Sequence, residues 1–310
     1  MKRRIQCKCV WLWAVFCLFF FSLSAQKNYT KSISILSEND SYMLMGKDGY
    51  FTNGLTLSYA WTSKDTTKSV INAIEVGQSM YNAKNGSYNE QERIDRPVTA
   101  YLYGRYSRTQ FAKHHVLNWK LGVGTIGPNA LGRQLQESIH STLGMYKPRE
   151  WQFQLRNAFA VDLSIIYVPQ LFRERSTVNL YPVVASDVGM TFTNMKLGGL
   201  LTLGRKSHNE KSALWNAQLN QTDKNASESF FYFEPILTYN VYDATVQGGL
   251  FHDDPQAGRL NRLLLTPQLG WQYARHRFSL NLGVHYTGRE AKDQIHRQWY
   301  GSVRAVYNIK

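Results

Sequence analysis

The chain is 310 residues long, with 36 Lys plus Arg against 22 Asp plus Glu and a formal net charge of +14. That balance suits anionic partners, either nucleic acid or a phosphate-rich membrane surface. The only cysteines are Cys7, Cys9 and Cys17, so the rest of the chain has no disulfide, no thiolate nucleophile and no thiol ligand for a metal.

Residues 1–25 read as a secretory signal peptide: Lys2, Arg3, Arg4 and Lys8 precede the apolar run VWLWAVFCLFFFSL, and the small residues of SLSAQ follow it. The run is about 14 residues, whereas a permanent membrane helix needs roughly 20. Cleavage is expected near Ala25, leaving residues 26–310 as one domain. Export favours the membrane over nucleic acid as the anionic partner. No later stretch approaches about 18 consecutive apolar residues, so a membrane role must come through strands.

Alternation dominates the remainder. In FSLNLGVHY, Phe278, Leu280, Leu282, Val284 and Tyr286 share one face, and Ser279, Asn281, Gly283 and His285 share the other. Leu55, Leu57, Tyr59 and Trp61 oppose Thr56, Ser58 and Thr62, and Leu117, Trp119, Leu121 and Val123 oppose Asn118 and Lys120. Trp299, Val303, Ala305, Tyr307 and Ile309 do the same against Ser302, Arg304 and Asn308. A soluble sandwich also alternates, but its buried face is mostly aliphatic, and these faces end on Trp or Tyr, as at a membrane interface. About twelve such segments are expected, near 33–38, 51–62, 70–80, 98–109, 115–126, 152–168, 177–193, 196–206, 228–242, 260–274, 276–288 and 297–309. The fold class is therefore all-β, a membrane-spanning antiparallel β-barrel.

The first hairpin carries a polar edge. Glu38, Asn39 and Asp40 end one strand, and Tyr50, Phe51, Thr52 and Asn53 begin the next. The oxygens of Asp40, Asn39 and Thr52 are hard donors suited to calcium rather than zinc or copper. Asn-Asp and Lys-Asp-Gly are equally the residues of an ordinary turn.

One segment departs from alternation. GPNALGRQLQESIHSTLG begins with Gly127-Pro128, spaces Leu131, Leu135, Ile139 and Leu143 by four, and ends at Gly144. This predicts a helix of about four turns, with His140 on the flank of the apolar stripe. His140 is a candidate general base, or a histidine hydrogen-bonded on a helix surface. Ser141 is its sequence neighbour and cannot face it on a helix. His114 and His115, residues 207–210 and the run His252-Asp253-Asp254 could bind a metal, but each falls where a loop is expected, and solvated loop is the better reading. Arg173, Arg175, Arg205 and Lys206 could meet phosphate or keep strand ends soluble.

Several stretches in order, ENDSY, KDGYFTNGLTLSY, VGQSMY, DRPVTAYLYG, LGVGTIGPNALGRQLQESIH, WQFQL, YDATVQGG and REAKDQIHRQWYGSVRAVYNI, resemble the outer-membrane lipid A 3′-O-deacylases. The resemblance runs from about residue 30 to the end, with RPVTAY where that family usually has RPYAGW. It implies a twelve-stranded outer-membrane barrel with a calcium-dependent site between the wall and a helix. His140 is then the base, and Asn39, Asp40 and Thr52 the other site residues, with Asp40 on the metal. Asn39 and Thr52 either orient the ester or complete the metal shell. A second acidic residue is implied after the histidine, and Glu150 is the nearest carboxylate. The implied substrate is lipid A within lipopolysaccharide; a barrel of this size needs no partner, so a monomer is expected, and export argues against nucleic acid. Two other readings compete: an outer-membrane phospholipase with a serine nucleophile, and a small porin or structural barrel.

Overall fold

The computed structural model describes residues 29–43, 49–62, 69–175, 177–221, 223 and 226–310. The expected signal peptide lies outside them. Within them, fourteen strand segments form a single antiparallel sheet: β1 Lys31–Asn39, β2 Phe51–Thr62, β3 Ser69–Tyr81, β4 Thr99–Ala112, β5 His115–Ile126, β6 Ala158–Pro169, β7 Val178–Gly189, β8 Phe192–Arg205, β9 Ser227–Glu234, β10 Ile236–Asp243, β11 Leu263–Leu265, β12 Gln268–Arg275, β13 Phe278–Thr287 and β14 Gln298–Ile309. Strands pair with their sequence neighbours except where β9 and β10 both pair with β8, β11 pairs with β10 and β12 with β9, and β14 returns to pair with β1, so the sheet closes.

Two staves are interrupted by proline, which cannot donate to the ladder. Pro235 divides β9 from β10, both of which pair with β8. Pro267 lies between β11 and β12. Counting each interrupted stave once gives the twelve that alternation predicts. The segment expected at 152–168 differs at its start, where Glu150–Phe153 is a short 3₁₀ turn and the strand begins only at Ala158.

The barrel is inside-out relative to a soluble fold. Along β1, Ser32 and Ser34 are 1% and 4% exposed, whereas Ile33 and Ile35 are 51% and 45% exposed. The same inversion puts Thr56, Asn118 and Ser279 inside and Leu57, Leu121 and Val123 outside. Each large aliphatic side chain left in water forgoes about 1.5–3 kcal/mol of burial. Such a face is stable only against hydrocarbon, and closure removes every unpaired strand edge from it.

Aromatic side chains mark both rims of this face. Trp61, Tyr106 and Trp119 form a row with ring centroids 6.4 and 5.4 Å apart toward the end with the chain termini. At the other end Tyr286 meets Trp299 edge-on at 4.8 Å.

The lumen wall carries polar contacts between nearby staves, including Lys120 to Glu75 at 3.2 Å and Lys196 to Asp187 at 2.7 Å. At the termini end, residues 206–221 fold across the mouth in three 3₁₀ turns. Asn216 donates to Ser32 of β1 (3.0 Å), Asn220 to Ser69 of β3 (2.6 Å), and Asn308 of β14 to Gln218 (3.2 Å). Leu219 packs on Ala60 and Ile71, and Trp215 on the cluster containing Val116, Tyr181 and Phe230. The segment thus grips staves on opposite sides of the mouth and lies across it.

Candidate active site

At the end away from the termini, the helix α1, Gly132–Leu143, packs on the outside of the wall at β3 and β4. It is shorter than the sequence suggests. Pro128–Ala130 form a 3₁₀ turn, and Leu131 adopts a left-handed conformation (φ 59°) before the helix begins. Gly132 permits the close approach, because a Cβ there would come within 2.5 Å of the Ala100 Cβ and 2.6 Å of the Trp151 ring.

The helix is also turned opposite to a soluble one. Most of the leucine and isoleucine stripe faces outward, with Leu131 50%, Ile139 38% and Leu143 68% exposed, while Leu135 packs against the cluster containing Trp151. The buried face is Gly132, Gln136 and His140. With lipid as the external solvent, the apolar stripe belongs outside and the polar residues belong against the wall. His140 is therefore buried, not placed on a surface.

Gly144, in the left-handed conformation (φ 71°), ends the helix, and Met145 donates back to the His140 carbonyl at 2.8 Å. The reversed chain brings the Tyr146 carbonyl oxygen to 2.8 Å from His140 Nδ1, with the Tyr146 ring edge-on to the imidazole at 4.7 Å. A carbonyl only accepts, so Nδ1 carries the proton and Nε2 is the basic nitrogen.

One turn before His140, the Gln136 side-chain oxygen accepts from Trp151 Nε1 (2.5 Å) and from the Asn82 amide (3.1 Å). The Asn82 amide also donates to Glu150, whose other oxygen accepts from the Ala83 backbone at 3.2 Å. Asn82 and Glu150 are fully buried. Glu150, the nearest carboxylate after the histidine, thus lies in the same cluster as the helix.

The hairpin residues join this cluster through the backbone. Asp40 Oδ2 accepts from Gly49 N at 2.7 Å; the adjoining Tyr50 donates to the Ala83 carbonyl and accepts from Asn82 N (2.6 Å). Strand register agrees, since Asn39 pairs with Asn53, Asn53 with Met80, and Met80 with Ala100, which packs in one cluster with Trp151. Asn39 Oδ1 accepts from Ser41 N at 2.8 Å, a local turn bond that presents Asp40. A bulge between Phe51 and Asn53 accommodates Thr52, whose buried hydroxyl has no hydrogen-bond partner among the described residues. Among the described residues no three His, Cys, Asp or Glu side chains gather as a metal cluster. What the hairpin offers a cation is one carboxylate with neutral oxygens, a hard set that suits calcium.

A second network, not legible in the sequence, braces the site. Tyr50, buried and left-handed (φ 59°), donates to Asp95 Oδ2 at 2.6 Å and accepts from His296 N at 3.0 Å. Burial first, and then the bond to Asp95, raise its phenol above the ordinary range. Arg96, fully buried, meets Glu290 at 2.8 Å and Thr245 Oγ1 at 3.0 Å, and lies over the Tyr81 ring. The 82–98, 244–262 and 288–297 connections are thereby tied to the hairpin. The other histidine stretches stay apart from this site. His208 pairs with Glu174 (2.7 Å) at the plugged end, and Asp253 and Asp254 accept from Arg156.

Comparison with known proteins agrees with this architecture. The family model described as "Outer membrane protein LpxR" matches residues 12–309. Among solved structures, LpxR from Salmonella typhimurium superposes with a TM-score of 0.74 at 18% identity, covering 90% of this chain and 100% of that one. The β domain of the Bordetella autotransporter Brka gives 0.46 at 9% identity (91% and 99% covered), and the KdgM porin 0.40 at 8% (90% and 99%). No curated protein matches the chain. A closed twelve-stave barrel with a lipid-facing exterior is an outer-membrane architecture, and the chain belongs to the LpxR outer membrane protein family.

Proposed function

We propose that this protein is a monomeric, calcium-dependent lipid A 3′-O-deacylase that hydrolyses the ester of the 3′-linked acyloxyacyl group of lipopolysaccharide. The observation that carries the reading is a buried histidine with a fixed tautomer under a helix whose other face is made for lipid. Such a site suits a substrate held in the membrane.

In the mechanism, His140 Nε2 takes a proton from water, and the resulting hydroxide attacks the ester carbonyl carbon. The carbonyl oxygen takes up the electron pair, and the tetrahedral centre then collapses with cleavage of the bond to the sugar oxygen. The proton on His140 passes to that oxygen, giving a free fatty acid and a 3′-hydroxyl. The Tyr146 carbonyl keeps the imidazole in register through both transfers. Gln136, held by Trp151 and Asn82, fixes the helix turn from which His140 projects. Asp40 and the Thr52 hydroxyl would hold the calcium, which supplies a positive charge for the developing oxyanion. Asn39 positions Asp40 through its turn.

The competing readings lose support. Ser141, the serine next to His140, bonds to the Ser138 carbonyl on the exposed side of the helix and has no base. A porin requires an open lumen, and residues 206–221 cross it.

Mass spectrometry of lipid A from cells expressing the wild type, His140→Ala or Asp40→Ala tests the proposal, once each variant is shown to reach the outer membrane. Loss of the 3′ acyloxyacyl mass is expected with the wild type alone, and a chelator should suppress it. Equal loss in His140→Ala would refute the base assignment, and equal loss in Asp40→Ala the metal assignment.

A further inference from the structure

Pro267 has no N–H to offer the ladder, and the stave is not hydrogen-bonded as a regular strand between β11 and β12. Toward β13 the pairing thins to single bonds, Tyr286 N to the Pro267 carbonyl (3.0 Å) and Gly288 N to the Leu265 carbonyl (3.3 Å). A cavity of about 380 Å³ opens here, lined by Leu263, Leu265, Tyr286, Arg289 and Arg297 among others. It lies at the long-loop rim of the barrel. Tyr286 and Trp299 place the membrane boundary at its base, and Tyr239, 54% exposed, sits opposite Leu263 on the next stave. Leu263 and Leu265, 62% and 51% exposed, continue the lipid face into it.

The charge accounting at this rim is one-sided. Of the two carboxylates in the 288–297 connection, Glu290 is taken by Arg96, and Asp293 by Arg259 at 2.6 Å. Among the described residues, the exposed Arg289 and Arg297 make no ion pair. Two free guanidinium groups thus stand just above an aromatic girdle, over an apolar recess, at headgroup depth. Arginine in that position matches phosphate by charge and by forked geometry.

We propose that this recess binds a phosphorylated glycolipid of the outer leaflet, its phosphate between Arg289 and Arg297 and an acyl chain along Leu263 and Leu265. The site goes beyond the deacylase reading. It is centred on β13, four staves from the β3 wall under α1, or about 20 Å of arc at roughly 4.8 Å per strand. It holds a lipid without cleaving it.

Native mass spectrometry of the detergent-solubilised full-length barrel tests this, using His140→Ala as parent so that added lipid stays intact. The probes are bis-phosphorylated lipid A, lipid A lacking both phosphates, and phosphatidylglycerol. The parent should hold two bis-phosphorylated lipids, one at the His140 site and one at the rim. Arg289→Ala/Arg297→Ala should hold one, with the second weakened about 30-fold by loss of two interfacial cations. Arg289→Lys/Arg297→Lys should regain part of that affinity. Heat-modifiable gel mobility verifies that each variant is folded. Equal occupancy in the double alanine variant would overturn the proposal, as would equally tight rim binding of phosphatidylglycerol or of the phosphate-free lipid A. Wild-type barrel that binds at the rim yet releases no fatty acid would count against the deacylase reading alone.

Discussion

The Arg96 network gives a quantitative test of how the site is braced. Replacing Arg96 with methionine keeps most of the side-chain volume and removes the guanidinium that meets Glu290, Thr245, the Pro97 carbonyl and the Tyr81 ring. Glu290 is then left largely buried, with its side chain 15% exposed, without its counter-charge. Breaking one side of a buried pair costs about 3–5 kcal/mol, which at about 1.36 kcal/mol per decade is two to nearly four decades in the local opening equilibrium. Hydrogen exchange reads this at Gly248 N, bonded to the Ala244 carbonyl, and at Gly258 N, bonded to the Val246 carbonyl. Both amides should exchange faster by that factor, while amides of β1–β5 are unchanged. Adding Glu290→Leu should restore part of the protection by removing the stranded carboxylate. Acceleration below about tenfold, or no recovery in the double variant, would refute the assignment of Arg96 as the tie between these connections.

Gly86→Ala places a methyl group against the Tyr146 hydroxyl and Glu150; overpacking of about 1–3 kcal/mol there should lower fatty-acid release roughly tenfold without unfolding the barrel, and unchanged release would separate Tyr146 from the placement of His140. At the plugged mouth, burial opposes ionisation of Glu174, but Lys206, Tyr181 and His208 together hold its carboxyl below the usual range. A carboxylate lowered in the folded state stabilises fully above its unfolded pKa of about 4.3 and loses that contribution as pH falls through the folded value. Fluorescence of Trp215, which donates to Asn209 at 2.9 Å, should therefore stay flat from neutral pH to about 5 and change only below 4, and in Glu174→Gln it should lose this transition. Replacing residues 209–220 with a Gly-Ser linker should turn a silent barrel into a conducting one in planar bilayers; identical traces would show that the plug does not seal the lumen.

Alternation made the wall legible because a stave between lipid and a polar lumen must switch character at every residue, and the twelve segments emerged from that rule alone. Pro235 and Pro267 were hidden within it, since an interruption on one stave is carried by the ladder on its neighbour. The helix was visible by its spacing, but not its orientation. Leu135 and Ile139 indicate an amphipathic element equally well in water or lipid, and only the surrounding solvent decides that Gln136 and His140 are the buried pair. Glu150 was reached through the resemblance rather than by any local pattern. Tyr50, Asp95 and Arg96 lie in stretches that carry the resemblance, but their bracing role gave no local signal, because their partners His296, Ile295 and Glu290 lie some two hundred residues away in the chain and no periodicity links them.

The stoppered mouth has a meaning for the cell that stands apart from the chemistry. An outer membrane is a sieve, and every open barrel added to it widens the mesh for detergents and antibiotics. A barrel whose candidate site lies on its outer wall needs no traffic through its centre, so its lumen is free to serve as a rigid core. With the lumen sealed and the deacylase proposal correct, copies of such a protein can accumulate in the membrane, and their surface activity rise in proportion, while the permeability of the envelope stays where it was.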